Sequence, residues 1–134
     1  MAKAIRIHQT GGPEVMRLED VVVGDPGPGQ VRLKHVAVGL NFADIYFRTG
    51  LYPVPLPCGL GVEAAGVVQA VGEGVTHVVP GDRVTYTGFV NTLGAYSTER
   101  LVPPPALTKL PERRSAGTPR ATPMRGRRPV YRRR

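Results

Sequence analysis

Apolar residues recur at every second position through several short stretches of this chain, and glycine and proline separate the stretches. Ala4 to His8 alternates apolar and polar residues and reads as a strand. Val15 to Val23 is a second extended segment, and Gln30 to Leu40 a third. In the third, Val31, Leu33, Val36 and Val38 are the expected core residues, with a slip at His35-Val36 that predicts a bulge. Val62 to Val71 is rich in valine and small residues and reads as a buried strand, followed by a hairpin-like turn at Gly72-Glu73-Gly74. Arg83 to Tyr86, Ala95 to Val102 and Ala106 to Leu110 complete the strands, with Pro103-Pro104-Pro105 breaking the last two apart. One stretch has helical spacing. In Asn41 to Arg48, Phe42, Ile45 and Tyr46 share a face, Asn41 suits the N-cap, and Gly50 suits the stop. The pattern predicts a mainly β domain, a small barrel, with one or two short helices.

The chain has 134 residues, which is one compact domain rather than two, and residues 1–111 carry the strand pattern. Its 17 glycines and 14 prolines fit short strands and many turns. Cys58 is the single cysteine, so neither an intramolecular disulfide nor a cluster of thiolate ligands can form within the chain, as in a reducing compartment. His8, His35 and His77 stand on separate segments without ligand spacing. There is no apolar leader in the first residues and no run near the ~20 residues of a membrane helix. The expectation is a cytoplasmic protein with no membrane partner.

Charge changes the picture only at one end. The formal net charge is +8, but up to Pro111 three lysines and six arginines face nine acids and balance them. Residues 112–134 carry nine arginines and one Glu, which is the whole excess. The strand-bearing part therefore has no electrostatic reason to bind nucleic acid. The Arg- and Pro-rich composition of the tail predicts disorder. It fits either an out-of-frame reading of the gene or a basic arm for phosphates, and the first is the expectation.

Five strings in order resemble one known family. They are HQTGGPEVMRLED (His8 to Asp20), VGLNFADIYFRTGLYP (Val38 to Pro53), GLGVEAAGVVQAVGEGV (Gly59 to Val75), GDRV (Gly81 to Val84) and LGAYSTE (Leu93 to Glu99). Together they resemble the medium-chain dehydrogenase/reductase superfamily, in its zinc-independent NADPH:quinone oxidoreductase branch. The resemblance runs from about Lys3 to about Leu110. It implies a GroES-like barrel without the Rossmann coenzyme domain that follows it in the family. Zinc-dependent members have a Cys where Asn41 stands and a His where Val62 stands, and a lobe of four cysteines after the GDRV segment. Thr85 to Glu99 has no cysteine. The resemblance therefore implies no metal.

It also implies a cofactor and a chemistry. NADPH would reduce a quinone or an enone by direct hydride transfer, and full-length members would be homodimers. Carried over by position, Asn41, Phe42, Asp44, Tyr46 and Tyr52 would line the barrel side of the coenzyme cleft. Asp44 would orient the helix start or the site, and no catalytic residue is assigned. Each has a plainer reading: Asn41 as a helix cap, Tyr46 and Tyr52 as half-buried packing residues. Gly59-Leu60-Gly61-Val62-Glu63-Ala64 fits a dinucleotide fingerprint in letters only, because prolines precede it and a strand follows. Glu63, if buried, needs a partner that the sequence does not name. As it stands the chain is expected to be a fragment with negligible turnover. The alternatives are a non-catalytic interaction module and a nucleic-acid binder acting through the tail.

Overall fold

The computed structural model describes residues 1–88 and 93–111. The expected tail at residues 112–134 lies outside the described residues. Among the described residues, eight strands form two antiparallel sheets, with one α-helix beside them. β1 (Ala2–Ile7), β2 (Arg17–Val21) and β4 (Cys58–Gly59) make a three-stranded sheet in the order β2-β1-β4. β3 (Val31–Gly39), β5 (Glu63–Val71), β6 (Arg83–Thr87), β7 (Glu99–Val102) and β8 (Leu107–Lys109) make a five-stranded one in the order β7-β3-β5-β6-β8. The mainly β barrel expected from the alternation is what forms. Among the described residues, no helix is long and apolar enough to cross a membrane.

Residues just before β7 tie the sheets together. Ile5 donates its N–H to the Tyr96 carbonyl at 2.7 Å, and Thr98 donates to that of Lys3 at 2.8 Å. Tyr96 in turn donates to the Leu60 carbonyl at 2.8 Å. Only an isolated bridge, Ala4 with Ser97, forms here, so the strand expected from Ala95 is regular only from Glu99. Its first half bonds the other sheet instead, and a chain serving two sheets cannot stay in one ladder.

The third strand corrects the sequence reading. Val31 and Leu33 are fully buried, but Val36 and Val38 are 49% and 42% exposed. The bulge does form, since pairing with β5 skips Val36 between His35 and Ala37. Side chains nevertheless keep alternating, and the inward place after Leu33 goes to His35. Its Nδ1 lies 2.7 Å from the Ser97 carbonyl and its Nε2 lies 3.1 Å from the Tyr86 hydroxyl. A carbonyl only accepts, so Nδ1 carries the proton and Nε2 accepts from the tyrosine. Burial pushes the His35 pKa down. The His35 ring is tolerable in the wall because both of its nitrogens find a partner.

Two apolar clusters fill the domain. The larger, inside the five-stranded sheet, contains Val31, Leu33, Val68, Val84, Tyr86 and Val102. The smaller contains Ile7, Val15, Phe47, Leu60 and Val62 and lies between the three-stranded sheet and α1 (Phe42–Thr49). Gly66 sets the closeness of β3 and β5: a Cβ there would stand 2.3 Å from the Lys34 carbonyl oxygen. The turn at residues 72–74 is not a tight hairpin. β5 and β6 do pair, but Gly72 is packed under Gly27 and a loop runs on to Arg83.

Candidate functional site

Asn41 begins α1 with extended backbone, φ −133° and ψ 149°, and Gly50 ends it in the left-handed region at φ 86°. The helix is fastened to its surroundings at both ends. Asp44, one turn in, accepts the Asn41 N–H on Oδ2 at 2.9 Å. The Arg48 carbonyl accepts the Gly11 N–H at 3.0 Å, and the Arg48 guanidinium donates to the Gly11 carbonyl at 3.2 Å. The helix start lies beside Glu63, the first residue of β5, which the Asn41 side chain reaches.

A small polar cluster sits at that junction. Asp44 and Glu63 are each only 6% exposed. The Asn41 carboxamide donates from Nδ2 to Glu63 Oε2 at 3.1 Å. Glu63 thus has the partner that its burial requires, on a helix start 22 residues earlier in the chain. The Tyr96 hydroxyl donates to Asp44 Oδ2 at 2.6 Å. Burial pushes the Tyr96 pKa up, and its bond to Asp44 and that carboxylate's charge push it further. Among the described residues, Asp44 Oδ1 is buried without a hydrogen-bond partner.

The candidate residues divide by this geometry. Asp44 faces inward, 6% exposed, and braces the helix start. Asn41 is half-buried between that support and solvent. Phe42 is 78% exposed, and Ile45, Tyr46 and Tyr52 are exposed as well. The face shared by Phe42, Ile45 and Tyr46 is therefore the outer one; Asp44 and Phe47 are buried on the opposite side. Tyr52 stands edge-on to Tyr46 and Phe47, with ring centroids 5.3 Å and 5.5 Å away, and donates its N–H to the Tyr46 carbonyl at 3.1 Å. The result is an aromatic wall next to a carboxamide. Tyr96 is the residue that sequence reasoning missed. Nothing local to LGAYSTE shows that its hydroxyl reaches Asp44.

Two further sequence readings meet the structure here. Glycines 59 and 61 lead from β4 into β5, with no helix after them, so no dinucleotide turn forms. Val62 is fully buried in the smaller apolar cluster, and an isopropyl group offers a cation no lone pair. Among the described residues, no three His, Cys, Asp or Glu side chains are grouped to hold a metal ion.

Residues 27–112 match the alcohol dehydrogenase GroES-like domain. The chain belongs to that family. Its relatives place it in the quinone oxidoreductase branch of the medium-chain dehydrogenase/reductase superfamily. A quinone oxidoreductase of Pseudomonas aeruginosa is 49% identical over 113 residues, covering 84% of this chain and 34% of that protein. A 2-haloacrylate reductase from a Burkholderia species is 49% identical over 117 residues, with the same coverage of 84% and 34%. The structure of Escherichia coli quinone oxidoreductase complexed with NADPH superimposes with a TM-score of 0.77 at 44% identity, covering 81% of this chain and 33% of that one. The GroES-like chain thus spans about a third of the length of these relatives.

Proposed function

We propose that this GroES-like domain is the barrel half of an NADPH-dependent quinone oxidoreductase site. The observation that carries the reading is the placement of Asn41, half-buried on a braced helix start, beside the exposed wall of Phe42, Tyr46 and Tyr52. A half-buried carboxamide offers both a donor and an acceptor to a polar ligand edge, and aromatic rings offer flat apolar surface to its rings. The residues present fit one wall of a nicotinamide site. When bound, NADPH supplies a hydride, and a quinone or an activated alkene takes it with a proton, without a Lewis acid. Asn41 would fix the ligand's polar edge, and Tyr46 and Tyr52 would hold its ring plane and keep water away. Asp44 and Tyr96 would act through Asn41 by holding the helix start. The relative that reduces 2-haloacrylate supports an activated alkene as one acceptor class.

The opposing coenzyme-binding surface would have to come from residues beyond the barrel. The 134-residue chain alone is therefore expected to show negligible NADPH-dependent quinone reduction, and sustained turnover by it would overturn this. The reading itself is tested by a chimera. Residues 1–110 replace the corresponding segment of the Pseudomonas aeruginosa relative, and NADPH-dependent quinone reduction is followed. Activity is expected, and Asn41→Ala in the chimera should lower it strongly. A folded, inactive chimera would count against the reading.

A second reading has one observation in its favour. Leu18, Leu40 and Phe42 are 68%, 83% and 78% exposed, which is surface suited to association. A non-catalytic interaction module would use it. Light scattering on the purified chain separates the two, because a monomer at all concentrations gives that module no support.

A further inference from the structure

We propose that Glu63 is a positioning residue for Asn41, and that Gly39 supplies the space in which its carboxylate lies. The proposal rests on the reading of Asn41 as a coenzyme contact, and names what decides how that contact is presented.

A side-chain amide has a donor end and an acceptor end of nearly the same shape. A half-buried asparagine with no fixed partner could present either end to a ligand. Glu63 removes the choice at the nitrogen end, beside the Asp44 N–H that faces the Asn41 side chain in the helix capping box. A carboxylate only accepts, so it takes the amide nitrogen of Asn41 and not its oxygen. The observed contact is of that kind, Nδ2 to Oε2 at 3.1 Å. Because Glu63 is 6% exposed, water competes poorly for the bond, and breaking it would leave a buried carboxylate short of a partner.

Gly39 makes the arrangement possible. It pairs with Glu63 across β3 and β5. A Cβ at Gly39 would stand 2.5 Å from Glu63 Oε2 and 2.7 Å from its Cδ. Gly39 is not among the positive-φ glycines, so alanine fits its backbone. The atoms in the way are the far end of a side chain. Gly39→Ala should therefore fold, push the Glu63 carboxylate aside and release the Asn41 amide. This reaches the same bond without removing any charge. Two residues from two strands, Gly39 and Glu63, thus act on one carboxamide nitrogen, while Asp44 engages Asn41 through the capping box of the helix.

The test uses the full 134-residue chain, labelled with nitrogen-15, as parent, Glu63→Gln and Gly39→Ala. In the parent, the Asn41 side-chain amide protons should show a nuclear Overhauser contact to the Glu63 side chain. Absence of that contact overturns the proposal without any variant. Both variants should displace the Asn41 side-chain amide signals while the Phe47 and Val62 signals report an intact fold. Unmoved Asn41 signals in a folded variant overturn it as well. The same substitutions are then made in the chimera with the Pseudomonas aeruginosa relative, where both should raise the KM for NADPH several-fold. An unchanged KM in variants whose Asn41 amide has turned overturns the positioning role. If the folded parent chimera does not bind NADPH, the coenzyme reading fails, and that failure is distinct because the Glu63–Asn41 geometry is read from ligand-free spectra of the 134-residue chain.

Discussion

The two faces of α1 follow opposite rules. The inner face buries Phe47 against Ile7, Leu60 and Val62, and seats the one buried carboxylate of the helix, Asp44, on Tyr96 and the Asn41 N–H. Every group there has a neighbour that explains it except Asp44 Oδ1. The outer face carries Phe42, Ile45 and Tyr46, exposed to solvent beside Leu51 and Tyr52. Packing explains the first face and leaves the second without a purpose in the barrel itself. Apolar side chains kept at a surface contribute little to folding, so the outer face points to binding rather than stability.

Stability measurements can break that contrast. The largest effect belongs to the inner face: Phe47→Ala should cost ~3–5 kcal/mol in urea unfolding, whereas Phe42→Ala on the outer face should stay within ~0.5 kcal/mol. Similar losses from both would erase the distinction. Next comes the polar part of the inner face. Asp44→Ala leaves the Tyr96 hydroxyl and the Asn41 N–H without their acceptor, an expected loss of ~1–3 kcal/mol by the same measurement. An unchanged urea midpoint would mean that the brace does not hold the helix.

The barrel wall offers a pH-dependent contrast to the helix. Burial lowers the His35 pKa below its ordinary 6.5, so the unfolded chain binds that proton more readily than the folded one. The stability this contributes is fully present above pH 6.5 and is lost as pH falls through the folded value. Urea midpoints should therefore drop on going from about pH 8 to about pH 5. His35→Gln should flatten this part of the profile. Asp82, paired with Lys109 and the Val79 N–H, and Asp20, paired with Lys3, have lowered pKa values and lose their contribution only in more acidic solution. A profile unaltered by His35→Gln would assign the drop elsewhere. The smallest effect is expected at Tyr52→Phe, which keeps both ring contacts and should alter stability by less than ~0.5 kcal/mol. A larger loss would show that the Tyr52 hydroxyl serves the fold, and would weaken its assignment to the ligand wall.

Much of the architecture was legible in the chain itself. Alternation with period two and the Gly/Pro breaks located the long strands, and the Asn41…Gly50 frame marked the helix, because these are local consequences of backbone geometry. The misreadings came where a partner distant in sequence decided the outcome. Val36 and Val38 look like core by composition, yet strict alternation through β3 turns them outward. It gives the inward place to His35, which is acceptable only because Tyr86 and the Ser97 carbonyl satisfy its ring. Ala95 to Val102 looks like one strand, yet its first half is claimed by β1 and Leu60. Phe42, Ile45 and Tyr46 share a face in the helix pattern, but periodicity states that a face exists and not which way it turns.

The same division holds at the site. Residue types and their order alone determined the family resemblance, the valine in place of a metal ligand and the candidate helix. Only the tertiary structure decided that Glu63 and Asn41 meet, that Tyr96 reaches Asp44, and that Asp44 supports while Tyr46 and Tyr52 face outward. The reason is physical: local periodicity fixes the direction of a side chain relative to its own element, whereas hydrogen bonds between buried polar groups depend on how separate elements are packed.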